Sequence, residues 1–203
     1  MADPTSAALP LAVGSTAGRA NGWWGMTALI VTEASLFGYL LFAYFYLQSQ
    51  TEMAWPPEGL PKLAVPFANT IILLGSSVLV WLGERSIRRD RRVAGVAWLC
   101  AAVAAGALFV LIQLHEWHGK PYGLTSHVYG SLYFTITGFH LLHVLVGLAV
   151  LACLALWCAL GYQDSRWHAA LGIGALYWHF VDAVWLAVFS VLYLSPYVLG
   201  IRP

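Results

Sequence analysis

Between Trp24 and Tyr193 the chain alternates long apolar stretches with short polar breaks. Five apolar stretches stand out: Trp24 to Leu47, Phe67 to Gly83, Val93 to Leu114, Val128 to Leu160, and Ala169 to Tyr193. Several reach or exceed the roughly 18–20 residues that carry a helix across the hydrocarbon of a bilayer. They are rich in Leu, Ala, Val and Gly and lack the apolar–polar alternation of a barrel strand. The pattern predicts an all-α, polytopic transmembrane bundle of about five helices. Residues 1–22 read as an irregular tail and residues 23–203 as one transmembrane domain, with neither an internal repeat nor a second domain.

Composition supports this reading. The chain is 60% hydrophobic and 9% charged, whereas a soluble domain has about a quarter of its residues charged; so few charges cannot cover a surface in water. The formal net charge of +1, without a basic-aromatic surface or a phosphate loop, gives nucleic acid no handle. The opening "MADPTSAALPLAVGSTAGRANG" has no basic segment ahead of an apolar core and reads as an uncleaved tail. Cys100, Cys153 and Cys158 form no CxxC pair and read as small buried hydrophobes.

Charge then orients the bundle. The break "ERSIRRDRR" carries Arg85, Arg88, Arg89, Arg91 and Arg92 in one short loop, and such loops stay on the cytoplasmic side. Counting spans from it puts the N-terminus, with Arg19, and the Arg166 loop on that side, and the C-terminus outside. The five arginines are placed to meet lipid headgroups. The Pro-rich break "QSQTEMAWPPEGLPKLAVP" is expected to be irregular, on the outer face.

Ionisable residues inside spans are costly, at least about 2.5–3.5 kcal/mol for a carboxylate at mid-bilayer, so they face protein and have partners or are protonated. Glu33 lies near the middle of the first span. His140 and His143 share one face of the fourth, three residues apart. His179 and Asp182, within "YWHFVDAVW", repeat that spacing on the fifth. All five fall at similar depth and are expected to form a buried polar cluster. The cluster fits interhelical hydrogen bonding, a proton relay, a lipid headgroup site or a metal site. Haem between His140 and His179 is compatible with the spacing, although no HExxH or multi-Cys pattern is present. Towards the outer face, "QLHEWHGKPYGLTSHVYGS" gathers Gln113, His115, Glu116, His118 and His127. It reads as a hydrated interfacial segment anchored by Trp117 and Tyr122, with a surface metal site as the alternative.

Several of these stretches resemble one family. "YWHFVDAVWLAVFSVLYL" and "VYGSLYFTITGFHLLHVLVGL" are similar to the last two helices of subunit III of the haem–copper terminal oxidases. "GMTALIVTEASLFGYLLFAYFYLQ" resembles its helix with a buried glutamate, here Glu33. "WPPEGLPKLAVPFANTIILLGSS", with Asn69 and Thr70, resembles the following loop and helix. "LIQLHEW" resembles a segment in which Gln113 and Glu116 recur. The matches run in order from about Gly22 to Leu194. The longest family members have seven helices; this chain is expected to begin at their third and to lack one wall of their lipid-filled cleft. The resemblance implies an accessory subunit with no catalytic residue, haem or metal of its own. It places haems and copper in partner subunits I and II, with subunit I as the main contact, a subunit IV in the same complex, phospholipid as a ligand, and room for a respiratory supercomplex. The expected setting is a bacterial plasma membrane, in a cytochrome c oxidase. A quinol oxidase is the alternative, and a stand-alone b-type cytochrome a more remote one.

Overall fold

The computed structural model describes residues 21–51, 54–161 and 169–199. They form helices α1 (Asn21–Gln50), α2 (Ala64–Arg88), α3 (Arg92–His118), α4 (Val128–Leu160) and α5 (Ala169–Phe189). The last helix widens into a π segment at Ser190–Leu194 and ends in the short α6 (Ser195–Leu199). Among the described residues five helices are long and apolar enough to cross a membrane, as the hydropathy pattern predicts. Arg19, Arg166 and Arg202, used in the orientation argument, lie outside the described residues.

The helices outrun the apolar stretches. Backbone hydrogen bonding does not stop where hydrocarbon ends, and long basic side chains keep their stems on apolar surface while their heads reach water. The arginine loop therefore shrinks to a turn. Arg85 and Arg88 sit in the last turn of α2 and Arg92 opens α3, leaving Arg89, Asp90 and Arg91 between them. The N–H groups of Asp90 and Arg91 return to the carbonyls of Ile87 and Ser86 at 3.0 Å each. Asp90 takes a positive φ of 56°, a conformation that Asp and Asn tolerate better than most residues. By the same extension Asn21 and Gly22 are helical, and His115, Glu116 and His118 belong to the end of α3.

Helices α2, α3, α4 and α5 close a ring in which each packs on the next and α5 returns to α2. Helix α1 stands outside this ring against α4 and α5. It buries only Phe37, Tyr44 and Gln48, one narrow stripe at helical spacing. Trp178 of α5 fills the ring's centre. Its indole Nε1 donates to Ser76 Oγ on α2 at 2.9 Å. A Cβ at Gly106 of α3 or Gly147 of α4 would lie 2.8 Å from its ring. Trp185, two turns further along, donates to Thr70 Oγ1 at 2.9 Å. A smaller apolar cluster at the arginine end joins Ile87, Leu99, Leu154, Cys158 and Leu171. Cys158 is thus the buried hydrophobe expected, but Cys100 and Cys153 are exposed on the bundle surface, where a small apolar thiol is equally at home against lipid.

Candidate functional site

The five residues read as one buried cluster fall into three arrangements. The first is Glu33 with His143. Glu33 Oε2 lies 3.0 Å from His143 Nε2, while His143 Nδ1 lies 2.7 Å from the Phe139 carbonyl oxygen one turn back. A carbonyl only accepts, so Nδ1 carries a hydrogen. The contact at Nε2 then holds one shared proton, as acid with neutral imidazole or as carboxylate with imidazolium. The pair is not in the bundle's interior: the side chains are 28% and 13% exposed. They line a groove on the outside of α1 and α4 walled by Leu29, Leu36, Phe139, Leu142 and Val146.

The second arrangement is His140 alone, buried within the ring. Its imidazole stacks on Trp185 with centroids 4.9 Å apart and meets Phe109 edge-on at 5.9 Å. Neither ring nitrogen has a hydrogen-bond partner among the described residues. Although only three residues separate it from His143, it looks inward where His143 looks out.

The third lies between α2 and α5, where Asp182 and His179 meet through Ser77. The Ser77 hydroxyl donates to Asp182 Oδ2 and lies 2.8 Å from His179 Nδ1. A hydroxyl has one hydrogen, so His179 Nδ1–H is the donor to the serine oxygen. Two turns towards the arginine end, Glu84 turns its carboxylate onto α5, 3.2 Å from where a Cβ would stand at Gly172. Arg88 binds Glu84 at 2.6 Å.

At the opposite end, Glu116 is a hub. Its Oε1 accepts from Tyr193 at 3.0 Å and Tyr133 at 3.3 Å, and Lys120 Nζ stands 2.9 Å away. The two phenol oxygens lie 2.9 Å apart, so either phenol can turn its one hydrogen to the other instead of to Glu116. The π segment carries Tyr193 into this contact. Gln113, one turn deeper, is buried. Two histidines of this region, His127 and His118, serve local structure. His127 Nδ1 caps α4 by accepting from Gly130 N–H at 2.8 Å, and His118 Nδ1 lies 2.8 Å from the Leu114 carbonyl oxygen. No group of three or more His, Cys, Asp or Glu able to hold a metal ion is gathered among the described residues. Outside the helices, burial pushes the Tyr122 phenol well above its ordinary value, so it stays neutral beside the Glu116 hub.

The five arginines take different tasks. Arg88 pairs with Glu84, Arg85 lies over the Trp81 ring at 5.1 Å, and Arg92 lays its guanidinium over Gly161, which ends α4 with a φ of 89°. Arg89 and Arg91 are exposed at the turn. Sequence reasoning missed Ser77, Glu84, Tyr133 and Tyr193. For Glu84 a signal existed, an acid four residues before Arg88 on a helix.

Comparison with known proteins bears on the family of the chain as a whole. A family model described as cytochrome c oxidase subunit III matches residues 15–197. The chain is 34% identical over 173 residues to cytochrome c oxidase subunit 3 of Thermostichus vulcanus, covering 84% of this chain and 85% of that protein. Against the Synechocystis protein of the same name it is 35% identical over 175 residues, 84% of this chain and 74% of that one. Against that of Sus scrofa it is 35% identical over 177 residues, covering 84% and 68%.

Proposed function

The chain belongs to the cytochrome c oxidase subunit III family, and from that premise we propose that it is a non-redox accessory subunit of a proton-pumping terminal oxidase in a bacterial plasma membrane. It packs on subunit I, which with subunit II carries the haems and copper, and it steadies subunit I and its proton uptake during turnover. Subunit IV, phospholipid and a supercomplex complete the surroundings. The observation that carries this reading is the Glu33–His143 pair set in an apolar groove on the outside of the bundle. A polar pair at that depth is costly against bare lipid, so a neighbouring chain or an ordered lipid covers it. The ring's interior, by contrast, holds a continuous apolar core.

Purification through an affinity tag on this chain, followed by mass spectrometry and a visible spectrum, tests the proposal. The expected result is co-purification of a haem-bearing subunit I and a copper-binding subunit II, with oxidation of cytochrome c. A chain that purifies alone with a Soret band is a b-type cytochrome and ends the proposal. A partner set without the copper subunit transfers the role to a quinol oxidase.

Two further outcomes follow. Glu33→Gln keeps size and hydrogen bonding without ionisation, so the complex is expected to assemble with full metal content, retain most electron transfer, and lose activity gradually during sustained turnover. Failure to reduce oxygen from the first turnover would contradict an accessory role. Second, the arginine turn is expected on the cytoplasmic side, against anionic lipid. A cysteine at Asp90 should react with a membrane-impermeant maleimide only after the cells are opened, and labelling of intact cells would invert the topology.

A further inference from the structure

The polar side chains between α2 and α5 form a lane rather than a point. On α2 it runs through Ser77, Glu84 and Arg88; on α5, through Asp182, His179 and Gly172. Ser77 to Arg88 is eleven residues, roughly 16 Å of helix rise. One end is exposed at Arg88 and the other is Asp182, 4% exposed within the bundle. Ser77, His179 and Glu84 between them are half-buried. The bare backbone at Gly172, two helical turns before His179, lets the Glu84 carboxylate fold onto α5.

We propose that this lane delivers protons from the arginine end to Asp182, with Ser77 as the bridge. The hydrogen-bond directions define the step. In the resting arrangement His179 Nδ1–H points to Ser77 Oγ, and the Ser77 hydroxyl hydrogen points to Asp182 Oδ2. A proton from water at the arginine end, taken up by the Glu84 carboxylate and carried by water over the remaining two turns of α5, adds to Nε2 of His179. The Nδ1 hydrogen then moves to Ser77 Oγ as the serine's own hydrogen moves to Asp182 Oδ2. One proton has entered and one resides on Asp182. His179 is left as its other neutral tautomer, Ser77 is again a hydroxyl, and rotation or re-tautomerisation of the imidazole resets the path. No electron moves and no bond other than N–H and O–H changes.

A merely structural triad would need the same hydrogen bonds but neither Glu84 nor the open end at Arg88. The other ionisable groups facing α5 come from its neighbours: His140 and His143 from α4, Glu33 from α1, and Glu84 and Arg88 from α2. His140 stacks on Trp185 and the Glu33–His143 pair lines the lateral groove with Tyr177; among the described residues no hydrogen bond joins either of them to the lane. This inference needs the membrane-spanning fold but not the oxidase partners, and its readout does not pass through oxygen reduction.

The test is time-resolved infrared spectroscopy of the purified complex in liposomes after a downward pH jump. The band followed is the C=O stretch of a protonated carboxylic acid, assigned to Asp182 by its loss in Asp182→Asn. Glu33→Gln serves as the control for the other buried carboxyl. In Ser77→Ala and Glu84→Gln the Asp182 band is expected to rise at least about tenfold more slowly, since each relay element is removed while the acid remains; tenfold corresponds to about 1.4 kcal/mol in the barrier. Ser77→Thr restores the hydroxyl and should restore the rate, which separates a relay from a packing defect. Ser77→Ala with an unchanged rate, slowing not rescued by Ser77→Thr, or no Asp182-dependent band over the pH range in which the complex is stable, would overturn the proposal.

Discussion

Replacing Trp178 with alanine is expected to cost about 3–5 kcal/mol, the range for truncating a buried Trp or Phe, and to strip this subunit from its complex. Trp178 touches the three other helices of the ring, at Ser76, Gly106 and Gly147. Truncation leaves a cavity at their meeting point and takes from the Ser76 oxygen the N–H it accepts, while its hydroxyl still donates to the Leu73 carbonyl. Heat inactivation of membrane complexes is commonly irreversible, so the proper measure is the half-life at a fixed temperature and the fraction of subunit retained. The complementary change Gly147→Leu should be damaging alone, because even a Cβ there approaches the ring to 2.8 Å. Combined with Trp178→Ala it should recover part of the loss, since the added side chain enters the vacated space; contacting residues couple in this way. Simple addition of the two defects would show that Trp178 does not hold the ring through α4.

The second large effect is expected at the other end. Glu116→Leu removes the acceptor shared by Tyr133 and Tyr193 and the counter-charge of Lys120. A hydrogen bond to a charged group contributes about 1.5–3 kcal/mol, and three groups lose their partner together while the phenols keep only one another. Stability should fall by at least one such increment, about 1.5–3 kcal/mol. Glu116→Gln, which keeps an accepting oxygen, should lose less. The loss should also be local. Proteolysis or hydrogen exchange is expected to open the π segment at Ser190–Leu194 and α6 before the ring, because Tyr193 is tied to α3 and α4 through this hub. Equal protection of that segment in wild type and Glu116→Leu would remove the hub from the account.

How far these contacts were legible in the sequence follows from what each signal encodes. Hydropathy reports whether a residue can face hydrocarbon, so all five spans were readable. It says nothing about where a helix stops in the headgroup layer, which is why the arginine loop proved to be a turn. Position along a span gives depth, and depth correctly brought Glu33 to the level of His143. Azimuth was not readable. Membrane helices are apolar all round, so no amphipathic face announces which way a side chain points. Glu33 therefore looked interior and is lateral, and His140 and His143 looked like one unit and are two. Ser77 was invisible for another reason. Most hydroxyls in these helices bond to their own backbone, as Thr137 does to Tyr133 and Ser86 to Leu82; a serine that reaches across to another helix looks no different in sequence.

The position of α1 outside the ring also has a meaning in time. It leaves the ribosome before the other four long helices, yet the two it packs on, α4 and α5, are made last. The His143 that meets Glu33 lies 110 residues downstream, roughly 5–20 s of synthesis at 5–20 residues per second. Through that interval the nascent helix sits in lipid with its carboxyl unmatched, while α2 and α3 can already pair with each other. An insertase or a waiting neighbour subunit that shields Glu33 would thus act on the half-made chain, and a stalled translation product ending before α4 should be a preferred substrate of membrane proteases.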